Sequence, residues 1–396
     1  MGNSSDRKKT SFLLICYSYP PVIGGSELEA QRVSEALIKR GHEITVVCAG
    51  GAPMPAVQDW TDPKGIPVRI YASHGTGAVK NVVFALHVAW MLIRERRKYQ
   101  FVYFLMQGLH LFLGLPVARL LRKPIVMKIA GSGEVVRMSK SMTGRLELRW
   151  LRKWAHCVMI LNEGMREEAL AQNFSPGQLL WMPNPVDTNE FAPANRQDQS
   201  GLRLRFGIPV NARVVLYCGR LSPEKALPSL LDAFSIVSQR VAEAVLVIIG
   251  DGPLRAALES QAQRLGLDAK SVRFTGRVDP DDISTWLKTG DVFSLVSFSE
   301  GFPCSLAEAM SAGLPCVVSD IPANRQLVED GQEGFRVPVG NADAIADAIL
   351  RLLGDVELSA RMGEAARQKI VGNYSTDQIA DRYEAIIQSV NGRSGS

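Results

Sequence analysis

The stretch RVVLYCGRLSPEKALPSLLDAFSIVSQRVAEAVLVIIG (213–250) opens and closes on continuous runs of Val, Leu and Ile, with a helical segment near 226–240 between them. An apolar run without alternation marks a strand buried on both faces, and a strand–helix–strand unit of this length makes its two strands parallel. The same scheme runs along the chain. FLLICYS (12–18), EITVVCA (43–49), FVYFL (101–105), PIVMKIA (124–130) and CVMIL (157–161) read as strands, with helical stretches that include 26–40, 78–99, 140–154 and 163–172. SVRFTG (271–276), VFSLVS (292–297) and PCVVSD (315–320) continue it, with helices near 253–265, 303–312 and 341–353. The fold class is therefore α/β, with parallel sheets covered by helices on both faces.

The chain has 396 residues, and at about 150 residues per domain that predicts two domains. MPNPVDTNEFAPANRQDQSG (182–201), rich in Pro, Asn and Asp, reads as a linker. The expected division is 1–190, 191–374, and a C-terminal helix and tail, 375–396, able to pack back on the first domain. Open parallel sheets bind ligands beyond the carboxyl ends of their strands, which predicts a site in a cleft between the two domains.

With 46% hydrophobic and 21% charged residues the chain is a globular one. The net charge of +5 hides a division: residues 1–185 hold 24 Lys and Arg against 13 Asp and Glu, and residues 186–396 hold 21 against 27. All five His lie in the first half. So small an overall excess argues against a nucleic-acid partner, while the division suggests different partners for the two halves. Six Cys without metal-ligand or disulfide spacing, and an N-terminus without a signal-peptide core, predict a reducing, cytoplasmic location. FVYFLMQGLHLFLGLPVARLL (101–121) approaches the length of a membrane span, but Gln107, Gly108, His110, Pro116 and Arg119 interrupt it, so it reads as a strand followed by a helix.

SFSEGFPCSLAEAMSAGLPCVVSD (297–320) carries the most chemistry. Glu300 falls in the loop after a strand, Pro303 opens a helix, and Glu308 lies about one turn inside it. The amides near Cys304 to Leu306 form an anion site at the helix start, while two carboxylates suit sugar hydroxyls; by themselves they read first as a solvated Glu and an acid complementing the helix dipole. Gly219-Arg220-Leu221-Ser222-Pro223-Glu224-Lys225 follows another strand and puts two cations at the sheet's carboxyl edge, suited to a diphosphate without a metal. In the first half, strand 12–18 leads through Tyr19-Pro20-Pro21-Val22-Ile23 to Gly24-Gly25, where a backbone can approach a ligand closely, and Ser26 is placed to cap the helix.

Together, Gly24-Gly25, NPVDTNEF (184–191), GRLSPEK (219–225), GDGP (250–253), TGRV (275–278) and the E-x7-E pair Glu300 and Glu308 resemble, in order and over most of the chain, the retaining GT-B glycosyltransferases of family 4, also called group 1. The resemblance implies a GT-B fold of two Rossmann-like doubly wound parallel-sheet domains around an inter-domain cleft. It implies transfer of a sugar from a nucleotide-sugar, most simply UDP-linked, to an acceptor hydroxyl with an α-linkage kept, in glycan, glycolipid or polysaccharide biosynthesis. By the same resemblance Arg220 and Lys225 hold the diphosphate, and Glu308 accepts from the ribose hydroxyls. Glu300 and the backbone of Gly301, Phe302, Pro303 and Cys304, with Ser305 and Leu306 behind them, hold the donor sugar. Gly24, Gly25 and Gly219 allow close approach, and Arg277-Val278 borders the base. No cofactor or metal is expected, the nucleotide-sugar being a co-substrate. Where many members carry a His after the strand matching 124–130, this chain has Ala130-Gly131-Ser132-Gly133-Glu134, with Lys128, Ser132 or Glu134 as substitutes.

The acceptor, a glycan, a lipid-linked molecule or a small molecule, is assigned to first-domain loops 50–65, 73–80 and 131–142. RLELRWLRKW (145–154), with RERRK (94–98), admits two readings: a helix packing Trp150, Trp154 and Leu151 inward, or a peripheral contact with the anionic inner face of a membrane. Asp279-Pro280-Asp281 is formally D-x-D but precedes a helix, where Asp is an ordinary cap. GSGEVV (131–136) and GDGPLR (250–255) each lack the third Gly of a dinucleotide fingerprint. His110 and His156 read as structural or surface residues. Two rivals stand: a nucleotide-sugar epimerase of the same fold, which needs acid/base groups that the sequence does not place, and a catalytically impaired binding subunit, motivated by Ala130.

Overall fold

A computed structural model describes residues 9–20, 24–50, 57–72 and 78–393. The chain divides into two units: Met1–Pro185 with Thr376–Ser396, and Val186–Ser375.

The first unit begins β1 (Ser11–Ile15), α1 (Gly25–Lys39), β2 (Glu43–Gly50), β3 (Val57–Thr61), β4 (Pro67–Ala72) and α2 (Ala78–Arg94). It continues β5 (Phe101–Leu105), α3 (Leu109–Leu120), β6 (Ile125–Lys128), α4 (Glu134–Ser139), α5 (Met142–Trp154), β7 (Ala155–Ile160), α6 (Glu163–Ala171) and β8 (Leu179–Trp181). Its sheet has the order β3-β4-β2-β1-β5-β6-β7-β8. The central strands are parallel, with Phe12 opposite Ile44 on one side and Phe101 on the other. β5 is buried at all five positions, as its unbroken apolar run requires.

One edge departs from the all-parallel expectation. β3 pairs antiparallel with β4, Trp60 opposite Val68. The strands are too close in sequence for a crossover, and a turn joins them in which the Asp62 carboxylate accepts from the Lys64 and Ile66 amides (2.9 and 2.8 Å). Part of the expected acceptor loop 50–65 is thus a hairpin; residues 51–56, like 73–77 of the next loop, lie outside the described residues.

The second unit holds α7 (Arg196–Arg205), β9 (Arg213–Cys218), α8 (Leu227–Arg240), β10 (Ala244–Ile249), α9 (Arg255–Arg264), β11 (Val272–Gly276), α10 (Pro280–Leu287) and β12 (Val292–Leu295). It goes on through α11 (Cys304–Ser311), β13 (Cys316–Ser319), α12 (Pro322–Leu327), β14 (Gly334–Val337), α13 (Ala342–Gly354) and α14 (Val356–Asn373). The sheet is parallel, in the order β11-β10-β9-β12-β13-β14. The division falls at Pro185, five residues before the expected 190, because the Val186 amide donates to the Tyr374 carbonyl (2.9 Å) and so opens the second unit. The expected linker also ends early: Asn195 caps α7 by accepting from the Asp198 amide (2.8 Å).

The last helix, α15 (Thr376–Arg393), belongs to the first unit and packs on α1. Ile379, Tyr383, Ile387 and Val390 join Leu14, Val33 and Leu37 in one buried cluster, and Arg40 reaches Asp381 at 2.6 Å. Right-handed crossovers that move opposite ways across a sheet put their helices on opposite faces. The order therefore sets α1 and α15 on one face and α2, α3 and α5 on the other. Residues 101–121 form β5 and α3, and among the described residues no helix is long and apolar enough to cross a membrane.

Candidate functional site

In the second unit the chain leaves β9 leftward to β10 and returns to β12 on its right, so strand order reverses between β9 and β12. The loops after these two strands lie side by side at that switch point, the usual place for a ligand on an open α/β sheet. They are stitched together: the Phe298 amide donates to the Glu224 carbonyl at 2.8 Å. Lys225 Nζ then meets both carboxylate oxygens of Glu300, at 2.7 and 2.9 Å, and the Ser297 hydroxyl donates to Glu300 Oε1 at 2.6 Å. Two residues 75 positions apart form one half-buried charged pair. Arg220 is exposed beside them, and its guanidinium makes no hydrogen bond or ion pair among the described residues. The Glu224 carboxyl is held below its ordinary range by the Ser222 hydroxyl first, with Lys225 and Arg220 adding to the effect.

Three features hold the Arg220 loop, and only one of them, the GDGP glycines, was among the motifs read from the sequence. The buried Tyr217 hydroxyl donates to the Arg220 carbonyl (3.0 Å). The loop after β10 packs directly on it, with the Leu221 amide donating to the Asp251 carbonyl and the Leu254 amide to the Leu221 carbonyl, both at 3.0 Å. At Gly250, whose φ is 131°, a Cβ would overlap the Gly219 carbonyl, and at Gly252 one would overlap Leu221. The glycines of GDGP thus serve the approach of one backbone to another. Ala226 follows Lys225 with φ 51°, a left-handed conformation that costs an ordinary residue roughly 1–2 kcal/mol. It turns the short 3₁₀ segment Pro223–Lys225 into α8. Neither Tyr217 in an apolar strand nor Ala226 at a helix start carries a sequence signal.

Glu308 sits one turn into α11 and is buried. Burial chiefly, and the Glu308 charge after it, push the Cys218 thiol up to about 12. Pro303 is the N-cap of α11, and the Cys304 amide donates to the Phe302 carbonyl at 2.9 Å. The expected anion site near Cys304 is thus narrower than the sequence suggested, because a local turn engages its first amide. Phe302 is buried against the Tyr374 ring, 6.0 Å between centroids. Gly301, Ser305 and Leu306 flank these positions at the same helix start. Arg277, exposed, and Val278, half-buried, follow β11 at the same sheet edge, two strands from β9.

In the first unit Gly24 is the N-cap of α1 and Gly25 its first residue. Ser26 is therefore inside the helix and does not cap it, which corrects the sequence expectation. A Cβ on Gly24 would overlap the Glu27 carboxylate, itself engaged by the Ser18 hydroxyl. Residues Pro21 to Ile23 of that loop lie outside the described residues. Lys128 does not substitute for a sugar-binding His: fully buried, it pairs with Glu29 and donates to Asn184 Oδ1 (2.9 Å). Ser132 accepts from Asn162 (3.2 Å), and Glu134 pairs with Arg137. His110 is buried against Phe84 and Phe104, and His156 meets Ser389 at 2.9 Å. Asp279 caps α10. Among the described residues no group of three or more His, Cys, Asp and Glu is arranged to hold a metal ion.

Comparison with known proteins gives a consistent picture. Residues 199–369 match the family model described as Glycosyl transferases group 1, and residues 24–185 the one described as Glycosyl transferase 4-like domain. Over 379 residues, 92% of the chain and 94% of the relative, the sequence is 28% identical to an Escherichia coli protein, UDP-Gal:alpha-D-GlcNAc-diphosphoundecaprenol alpha-1,3-galactosyltransferase. It is 34% identical over 217 residues to the phosphatidyl-myo-inositol mannosyltransferase of Mycobacterium tuberculosis, covering 53% of this chain and 54% of that one. Among solved structures, Anabaena HepE in complex with UDP and glucose superposes with a TM-score of 0.79 at 21% identity, over 96% of this chain and all of that one.

Proposed function

Because the chain belongs to the group 1, or family 4, glycosyltransferases of the GT-B fold, we propose that it moves a sugar from a UDP-linked donor to an acceptor hydroxyl with retention, giving an α-linkage. The observation that carries this reading is the Lys225–Glu300 pair at the β9/β12 switch point. The two side chains that the family resemblance assigns to diphosphate and sugar touch each other, which suits groups placed on either side of a sugar–phosphate bond. Without donor, Glu300 neutralises Lys225. A bound diphosphate takes over the ammonium, with the Arg220 fork beside it, and frees Glu300 to accept from sugar hydroxyls. Glu308 takes the ribose hydroxyls, and Arg277-Val278 borders the base.

In the proposed step the acceptor oxygen bonds to the anomeric carbon on the face that the diphosphate leaves. The carbon–oxygen bond to the β-phosphate breaks with its electron pair, and the acceptor's proton passes to that phosphate oxygen. Arg220 and Lys225 stabilise the departing charge, a role that a metal plays elsewhere and that these two cations make unnecessary. The E. coli relative supports a UDP-linked donor, an α-linkage and a lipid-linked acceptor, since its name states all three. We place the activity in glycan or glycolipid biosynthesis, at the cytoplasmic side of a membrane.

A thermal-shift panel of UDP-, GDP- and ADP-sugars tests the donor. A UDP-sugar at 100 times its dissociation constant adds roughly 2.7 kcal/mol of stability. Incubation with the stabilising donor and a lipid-linked acceptor in the presence of a chelator, followed by NMR of the product, reads the linkage. A β-product, or dependence on added metal, overturns the mechanism.

A further inference from the structure

The outer face of α2 is not the face of an ordinary surface helix. Val79, Val82, Leu86, Trp90 and Ile93 are between 44% and 59% exposed. Their spacings of three, four, four and three residues gather them, at about 100° per residue, into one stripe roughly 80° wide. The opposite side, with Phe84, Val88, Met91 and Leu92, is buried in the unit's core. A solvated helix carries charge on its outer stripe, whereas this one has no charged residue between Lys80 and Arg94. A continuous apolar patch of this kind marks an interaction surface.

What surrounds the stripe identifies the partner. Arg94 lies over the Trp90 ring at 4.7 Å, and Arg96, Arg97 and Lys98 follow, all exposed. α2, α3 and α5 lead into the neighbouring parallel strands β5, β6 and β7, so their C-terminal ends lie along one edge of the sheet. α3 delivers Arg119 and Arg122 there, with Leu120 between them 81% exposed, and α5 delivers Arg149 and Lys153. The acid of the cluster, Glu95, is engaged by Arg69 and Lys98. Apolar side chains with a Trp among them, bordered by cations, complement an anionic lipid surface.

We propose that this face of α2 docks on an anionic bilayer, with Leu86, Trp90 and Ile93 at the acyl boundary and Arg94 to Lys98 on the headgroups. α5, the other basic segment, does not provide the apolar part. Its Leu148 and Leu151 are buried, and Trp150 stacks on Trp154 and lies tilted against Phe112. The proposal deepens the reading of a lipid-linked acceptor and is tested by binding alone, so its failure leaves that reading standing.

The test is flotation of the full chain with vesicles of phosphatidylcholine, with or without about a quarter of phosphatidylglycerol, enough to give the surface its negative potential. The parent chain floats with the anionic vesicles and stays behind with the neutral ones. Leu86→Ser with Trp90→Ser, and separately Arg96→Glu with Arg97→Glu, each lower the bound fraction about tenfold or more. Both variants should keep the parent's donor-induced shift and unfold thermally close to the parent, because Leu86 and Trp90 lie on the outer stripe of α2 and Arg96 and Arg97 are exposed after it. Equal flotation of the parent and the Leu86/Trp90 variant, or no flotation with either vesicle, overturns the proposal. So does a concentration-dependent dimer in sedimentation that the Leu86/Trp90 variant abolishes, since the face then belongs to a second copy.

Discussion

Each unit carries a lysine–glutamate pair near the end of a parallel strand, and the two pairs have opposite fates. In the first unit Lys128 ends β6 and meets Glu29 of α1 with side chains 0% and 2% exposed. Asn184 and the Tyr383 hydroxyl (2.9 Å from Glu29) complete a closed network that binds α15 to the sheet. In the second unit Lys225 and Glu300 stand on loops beyond β9 and β12, at 19% and 9% exposed, within reach of solvent. Chemically the pairs are identical. Burial makes the first a fixed part of the core, since neither charge can be released without a solvation penalty, and leaves the second exchangeable.

Breaking the buried pair gives the largest expected effect. Lys128→Met leaves the Glu29 carboxyl buried without its cation, and urea denaturation should show a loss of about 3–5 kcal/mol. Adding Glu29→Gln should return much of it; if Lys128→Met alone is as stable as the parent, the closed network is not what it looks like. A second contrast lies in pH. Burial holds His110 down to about 4, against the opposing hydrogen bond that its ring donates to the Met106 backbone. Between the ordinary 6.5 and that value the unfolded chain binds the extra proton, so stability falls as pH drops from 6.5 to 4 and levels below. For this nearly fully buried ring the full swing is about 3 kcal/mol. The pH slope of the parent minus that of His110→Leu isolates it, and identical slopes would remove the assignment.

The exchangeable pair should behave the other way round. Lys225→Ala or Arg220→Ala is expected to lower transfer about 10²-fold or more while the urea midpoint scarcely moves. Near-parent turnover in both variants would refute the diphosphate assignment. The smallest effect concerns the loop itself. Ala226→Gly removes a left-handed strain of roughly 1–2 kcal/mol and adds a glycine entropy cost of up to about 1 kcal/mol. A gain of about 0.5 kcal/mol in stability is expected, and a loss would show that the conformation is not strained.

Much of this was legible in the residues. The long apolar runs are strands within a few positions of where they were expected, because a strand buried on both faces admits only apolar side chains. The shorter elements were not: β8 has three residues and β14 four, too few for a pattern, and the β3–β4 hairpin is an edge that alternates weakly. α14 was missed because only Met362, Gly363, Ala366 and Ile370 of its eighteen residues are buried. At the candidate site, Arg220, Lys225, Glu300 and Glu308 stood out as charged residues in loops or at a helix start. Tyr217 and Ala226 did not, because a tyrosine in an apolar strand and an alanine at a helix start each have common uses elsewhere.

The sequence by itself determined the α/β class, the two-part organisation, the charge difference between the halves and the residue types able to hold a diphosphate and a sugar. These follow from periodicity, composition and side-chain chemistry, which are local properties. Only the tertiary structure decided which lysine is sealed inside and which stays within reach of solvent. It brought Lys225 to Glu300 across 75 residues, closed Lys128 over Glu29 across 99, and turned the apolar stripe of α2 outward. Solvation decides each of these outcomes, and solvation depends on what else the fold brings near a side chain.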